Sequence, residues 1–262
     1  MKRSRGGSAL RLEVLALPGI PLVRAGDDLA AMLNAAAAAA GVAWQAGDIL
    51  VVAQKIVSKA EGRRVDLATI QPSAHALEVA AVVDKDPRLV ELILSESRRI
   101  VRMCRDVLIV EHRLGFVMAN AGIDQSNVAA AGEGEFALLL PADPDASAAR
   151  LREGIARTTG IDLGVVVNDS FGRPWRRGSV GVAIGSAGIE SLQDQRGQED
   201  LFGRRLRVTE VGTADEIAAA ASLLMGQAAQ GLPAVVVRGL PRGGEPTPAF
   251  ALLRPAAEDL FR

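Results

Sequence analysis

Two of the four lysines in the chain, Lys55 and Lys59, stand four residues apart in Gln54-Lys55-Ile56-Val57-Ser58-Lys59-Ala60-Glu61-Gly62; the others are Lys2 and Lys85. Lysine is a compact point charge suited to a phosphate, where arginine favours a planar fork. The plain alternative for this stretch is a solvated strand end followed by a charged turn. In Asn120-Ala121-Gly122-Ile123-Asp124-Gln125-Ser126-Asn127, Asp124 and Asn127 offer hard oxygen ligands, and Gly122 permits the backbone turn that aims them. The same residue types also fill ordinary loops. A more pointed group is Asn168-Asp169-Ser170-Phe171-Gly172-Arg173-Pro174-Trp175-Arg176-Arg177-Gly178. Here Asp169 can hold a divalent ion beside the Ser170 hydroxyl, and Arg173, Arg176 and Arg177 can meet phosphate oxygens or a substrate carboxylate. The bland reading is that Asp169 pairs with those arginines and caps a turn. In Leu224–Pro233, Gln227 can donate an amide oxygen, although a helix C-terminus stopped by Gly231 explains the segment without a ligand.

The elements that must position these groups follow from hydrophobic pattern and punctuation. Arg11–Leu17 alternates as a strand and is broken by Pro18-Gly19-Ile20-Pro21. Asp27-Asp28 opens an alanine-rich helix to about Ala40, with Gly41 as the stop. Asp48–Ala53 reads as a buried strand, followed by helices over Ser73–Val83 and Pro87–Arg98, the second capped by Asp86. Val107–Glu111 and Gly115–Met118 form a strand pair, a polar segment covers Asn120–Glu135, and Phe136–Leu140 is a further strand. Pro141–Asp145 marks a boundary between lobes, ahead of a helix over Asp145–Thr159 and a strand over Leu163–Val167 that delivers Asp169 at its C-terminal end. Glycines recur through Gly178–Gly188, a pattern that lets another backbone or a ligand come close. Thr213–Glu216 reads as a capping box for a helix to Gln230, and Ala234–Arg238 is the last strand. The mixture favours an α/β or α+β protein over a regular doubly wound sheet. Neither G-x-G-x-x-G nor G-x-x-x-x-G-K-[ST] occurs, which argues against Rossmann and P-loop folds and against a dinucleotide-dependent reductase.

Composition narrows the chemistry. The 262 residues carry 30 Lys and Arg against 31 Asp and Glu, a net charge of −1, with one cysteine, two histidines, no tyrosine, six phenylalanines and two tryptophans. One cysteine forms no internal disulfide, and a Cys/His zinc cluster lacks ligands. Near-neutral charge and few aromatics argue against a nucleic-acid stacking platform. His75 and His112 read as structural or surface residues, and Cys104 as a small buried one. The longest uncharged stretch, Ile217–Val237, contains Gln227, Gln230, Gly231 and Pro233 and reads as helix, turn and strand, with no membrane span. The basic start has no signal-peptide core, because Arg11 and Glu13 intervene, so a cytoplasmic protein is expected.

Taken in order, Leu17–Pro21, Gly47-Asp48, Val57–Gly62, Asn120–Asn127, Asp169–Gly178, Gly181–Gly188, Ala214–Ile217 and Leu223–Gly239 resemble the coenzyme F420-0:L-glutamate ligase family, of the CofE type. The resemblance implies an α+β, mixed two-lobed CofE-like fold. It also implies a homodimer and a GTP-dependent reaction that joins L-glutamate to the lactyl carboxylate of F420-0 through an acyl phosphate. A second glutamate would follow through a γ-linkage. Mg2+ or Mn2+, and a stimulating K+, are implied with it. Position by position, Asp124 and Asp169 are similar to the ligands of one divalent ion. Ser170 and Gln227 are similar to ligands of a second, held less tightly where Gln227 stands for a carboxylate. Pro18, Gly19, Ile20, Pro21, Gln54, Lys55, Lys59 and Asn127 match GTP-contact positions, as do Met225, Gly226, Gln227, Ala228, Ala229, Gln230, Gly231 and Leu232. Arg173, Arg176 and Arg177 would supply catalytic positive charge. The ligase unit is expected over residues 12–254, in lobes of about 12–140 and 141–254 with room for chain exchange, between tails 1–11 and 255–262. Two other readings stand beside it: a GTP-binding regulatory module, and a related ligase for another acidic cofactor precursor.

Overall fold

Apolar runs without a polar face have to be covered on both sides. In the computed structural model, which describes residues 10–128, 134–241 and 243–260, three such runs become the centre of one sheet. In chain order the elements begin with β1 (Glu13–Ala16), α1 (Leu29–Ala39), β2 (Ile49–Ala53) and α2 (Gln54–Ala60). Next come β3 (Arg64–Asp66), α3 (Ala74–Val83), α4 (Pro87–Ser95), β4 (Ser97–Cys104), β5 (Val107–His112), β6 (Val117–Ala119) and β7 (Phe136–Leu138). The chain continues through α5 (Pro144–Thr159), β8 (Gly164–Arg173), β9 (Arg176–Ala187), β10 (Gln193–Asp194), β11 (Glu210–Val211), α6 (Thr213–Met225) and β12 (Ala234–Arg238).

The larger lobe is a five-stranded sheet in the order β1-β12-β2-β8-β9. Only β2 and β8 are parallel neighbours; the other three pairs are antiparallel. Successive side chains of a strand face opposite ways, and the core divides accordingly. Leu50, Val52, Val165, Val167 and Val236 pack under α1 and α5, while Ile49, Val51, Val166, Val235 and Val237 pack under α6. Each of these buried aliphatic side chains contributes roughly 1.5–3 kcal/mol. The glycines of β9 serve this layering: a Cβ at position 181 would lie 2.4 Å from the Ala218 carbonyl oxygen of α6, and one at 185 would lie 2.3 Å from that of Pro144. At positions 181 and 185 it is backbone that comes close to the strand.

The smaller lobe is built from residues 64–128 and 134–139. It contains the antiparallel β4-β5-β6 sheet and the β3-β7 pair, with α3 and α4 packed on them through Val79, Val83, Val90, Ile93, Leu108 and Val110. The large sheet therefore draws strands from both sides of residue 140. The architecture is a mixed, two-lobed α+β fold, neither Rossmann nor P-loop.

Several elements differ from the sequence reading. Gln54–Ala60 is a helix instead of a strand end and turn. The helix from Pro87 ends at Ser95, because Ser97 and Arg98 open β4, a mostly exposed edge strand with two register shifts that blur its alternation. The strand from Gly164 continues to Arg173, so Asp169 lies within it and not at its end. The last long helix stops at Met225 instead of Gln230, where Gly226 turns to φ +69°, and it is capped by Gly212 with no side-chain capping bond. Cys104 is exposed, not buried. No helix among the described residues is long and apolar enough to cross a membrane. Of the polar segment Asn120–Glu135, residues 129–133 lie outside the described residues.

Candidate active site

Strand register decides what meets at the edge of the large sheet. Ala16 of β1 pairs with Val235, Ala234 with Val52, and Ala53 with Asn168. Across the same edge Leu17 N–H donates to Ala234 O at 2.9 Å, and Ala53 N–H to Pro233 O at 2.8 Å. Four candidate segments therefore emerge side by side: Pro18–Pro21 leaving β1, Gln54-Lys55 opening α2, Asp169-Ser170 on β8, and Met225–Leu232 entering β12. The fifth, Asp124–Asn127, arrives from the smaller lobe.

Helix α2 makes that junction. Residues four apart share one helix face, and both lysines reach the 124–127 loop. Lys55 Nζ lies 2.5 Å from Asp124 Oδ2 and donates to Ser126 Oγ at 2.7 Å and Ser126 O at 3.3 Å. Lys59 Nζ donates to Asn127 O at 2.6 Å. Asp124 Oδ1 accepts the Ser126 N–H at 2.7 Å, and the Asp124 backbone is bonded both ways to Leu138. The loop carries left-handed residues at Asn120, Ala121, Gly122 and Asn127, and such strain concentrates at functional loops. Gln54 is 2% exposed, and its Oε1 accepts the Ser58 hydroxyl at 2.9 Å, so its amide is turned into α2.

The electrostatics fit two carboxylates facing two ammonium groups. Burial pushes the Asp169 carboxyl up to about 7, and the nearby Asp124 charge adds to this; the Ser170 N–H and Lys55 oppose it. Burial would also raise Asp124, but hydrogen bonds from Lys55 and Ser126 outweigh it and hold that carboxyl below its usual range. Burial lowers Lys59, helped by the neighbouring charges of Lys55 and Arg64. Lys55 thus satisfies Asp124, while among the described residues the side chain of Asp169 has one hydrogen bond, from Ser170 N–H at 2.8 Å. Hard oxygen donors with one negative charge left uncompensated are the donor set that Mg2+ or Mn2+ prefers. No group of three or more His, Cys, Asp or Glu gathers among the described residues, so Asp124 and Asp169 need hydroxyl, amide or substrate oxygens to complete a coordination shell.

The other candidates are placed as follows. Ser170 is exposed on β8, and Gln227 is exposed on the loop after α6, where Gln230 Oε1 accepts the Ala228 N–H at 2.9 Å. Arg173 pairs with Arg176 across the end of the β8–β9 hairpin, roughly 13 Å along the strand from Asp169 at ~3.3 Å per residue. Among the described residues none of Arg173, Arg176 and Arg177 pairs with Asp169. His112 is fully buried, its Nδ1 accepting the Leu114 N–H at 3.0 Å, in keeping with a structural role. One residue that sequence reasoning passed over is Asn168, 5% exposed. Its Nδ2 reaches Met225 Sδ at 3.5 Å and ties the Asp169 strand to the end of α6. No local signal marks a contact set by the packing of α6 on the sheet.

Comparison with known proteins gives the family. Residues 19–239 match the family described as F420-0:Gamma-glutamyl ligase, a span that takes in every residue of the sheet-edge cluster except Pro18. The chain is 47% identical over 256 residues to the coenzyme F420:L-glutamate ligase of Methanothermobacter thermautotrophicus, covering 96% of this chain and 99% of that protein. It is 44% identical to the protein of the same description from Methanopyrus kandleri, over 96% and 99% of the two chains. It is also 44% identical to that from Archaeoglobus fulgidus, over 97% of each. On the ordered motifs, the two-lobed fold and these matches, the chain belongs to the F420-0:gamma-glutamyl ligase family.

Proposed function

We propose that the protein is a GTP-dependent ligase that adds L-glutamate to the lactyl carboxylate of coenzyme F420-0, and then a second glutamate through a γ-linkage. The observation that carries this reading is the convergence of Lys55, Lys59, Asp124 and Asp169 at one sheet edge. The relatives' shared description, coenzyme F420:L-glutamate ligase, supports the substrates. A carboxylate is a poor electrophile and has to be activated before an amine can attack it. An acceptor oxygen attacks the γ-phosphorus of GTP, GDP leaves, and an acyl phosphate forms. The glutamate amine then attacks the acyl carbon, and phosphate departs with one oxygen of the former carboxylate. Catalysis of the first step is positioning and charge neutralisation.

In this reading Lys55 and Lys59 hold phosphate oxygens, while Pro18–Pro21, Asn127 and Met225–Leu232 wall the nucleotide. Arg173, Arg176 and Arg177 add positive charge along the hairpin for anionic substrates. Asp124 and Asp169, with Ser170 and Gln227, would hold Mg2+ or Mn2+, which supplies charge neutralisation on the phosphoryl oxygens. A homodimer is the assembly we infer, since Leu201, Phe202 and Val208 between β10 and β11 are almost fully exposed and such residues in one segment mark an interaction surface.

Incubation with F420-0, L-glutamate, GTP and Mg2+ or Mn2+, read by mass spectrometry and GDP release, tests the proposal. A glutamylated product with stoichiometric GDP supports it. GTP binding without GDP release would make the chain a regulatory module, and glutamylation of a different acidic precursor alone would make it a related ligase.

A further inference from the structure

Arg173 and Arg176 pair across the end of β8 and β9, so Pro174 and Trp175 form a two-residue turn. Proline followed by a left-handed residue is the type II pattern, whose second position ordinarily takes glycine. Trp175 occupies it at φ +59° and leaves 82% of its surface in solvent. A bulky side chain in the left-handed region costs free energy. Beside it Arg176 and Arg177 are exposed, and among the described residues neither belongs to an ion pair. Phe171, two residues before Arg173, packs edge-to-face on Phe116 of the smaller lobe, with ring centroids 6.1 Å apart. That contact anchors the base of the hairpin and fixes the direction in which its tip projects.

Building on the ligase reading, we propose that this tip is the outer subsite for the acceptor. Trp175 stacks on its planar ring, and Arg176 and Arg177 pair with the acidic chain that joins the ring to the reacting carboxylate. The spacing supports this: at ~3.3 Å per residue the turn lies roughly 15–20 Å along β8 from Asp169. A ligand touching both has to be elongated, with a flat aromatic system at one end and the reacting group at the other. A deazaflavin on an acidic chain ending in a carboxylate has that form. Aromatic face and guanidinium together are the chemistry that recognises a planar, anionic ligand.

Trp175→Gly separates this role from a structural one, because glycine relieves the left-handed strain while removing the ring. The full-length variant is expected to melt no lower than the wild type. Its dissociation constant and KM for F420-0 should rise roughly 5- to 100-fold, the scale of one aromatic stacking contact. The KM for GTP should stay unchanged, and Trp175→Phe should restore most of the affinity for F420-0. Unchanged affinity for F420-0 overturns the proposal, whether the variant melts lower, sediments as a different oligomer, or behaves as wild type. A rise in the KM for GTP instead of F420-0 assigns the tip to the nucleotide and also overturns it. Equilibrium binding of F420-0 needs no turnover. A wild type that binds F420-0 through Trp175 but forms no adduct would therefore refute the ligase reading and leave the subsite standing.

Discussion

Asp169 and Asp124 share a neighbourhood with Lys55, and the lysine is bonded to Asp124. Burial, with the Asp124 charge adding to it, is what lifts the Asp169 carboxyl to about 7. Asp169→Asn keeps the shape and removes the charge. We expect it to lower turnover by at least about 10²-fold, the scale of losing one electrostatic stabiliser, with a cooperative melt retained; near-wild-type turnover would contradict the metal role. The same substitution has a pH signature in metal-free protein. The folded state holds a proton on Asp169 that the unfolded chain releases near 3.8, so this group lowers stability as pH rises from about 4 to 7. Melting temperatures of the wild type and the Asn variant, compared across that range, should show a shallower fall for the variant.

At the scale of elements, the position of α6 depends on β9 having no side chain at residue 181. Gly181→Ala would drive a Cβ to 2.4 Å from the Ala218 carbonyl and 2.6 Å from Asn168 Oδ1. Overpacking of this kind costs typically 1–3 kcal/mol, so a denaturant titration should show a lower midpoint; an unchanged midpoint would mean that α6 does not rest on β9 as described. The glycine pattern of β9 and the apolar runs of β2, β8 and β12 were legible in the sequence, because each reports its own burial. Helix α2 was not: it starts directly from a strand at Ala53, with no side-chain cap, and lasts seven residues. The outer half of β8 was hidden for another reason. It leaves the core as a hairpin, so its residues lose the apolar signature of a strand. The candidate segments were visible one by one, but the contact of Lys55 with Asp124 was not. Those residues are 69 positions apart, and only lobe packing and the placement of α2 bring them together.

Across the whole molecule, the two carboxylates belong to different lobes, Asp124 to the smaller and Asp169 to the larger. Their separation depends on how the lobes are joined. Glu96 sits at that joint, with Arg63 Nη2 at 3.0 Å, Arg113 Nε at 2.9 Å and His112 Nε2 at 3.5 Å; Arg63 also donates to Leu140 O at 2.9 Å. Burial would raise the Glu96 carboxyl, but His112, Arg113 and Arg63 outweigh it and hold it at about 2. Its contribution to stability is therefore complete above about 4.5 and fades as pH falls from there toward 2. Glu96→Gln leaves two arginines without their shared anion and should cost about 3 kcal/mol in chemical denaturation near neutral pH, with a smaller loss at pH 3; equal losses at both would contradict the ionic account. The central claim is that this two-lobed site activates a carboxylate with GTP and passes it to glutamate. Acceptor F420-0 labelled with heavy oxygen in its reacting carboxylate tests that most directly. The product should gain a glutamyl residue and the released phosphate should carry one heavy oxygen atom. No adduct, or an adduct formed with unlabelled phosphate, would contradict the claim.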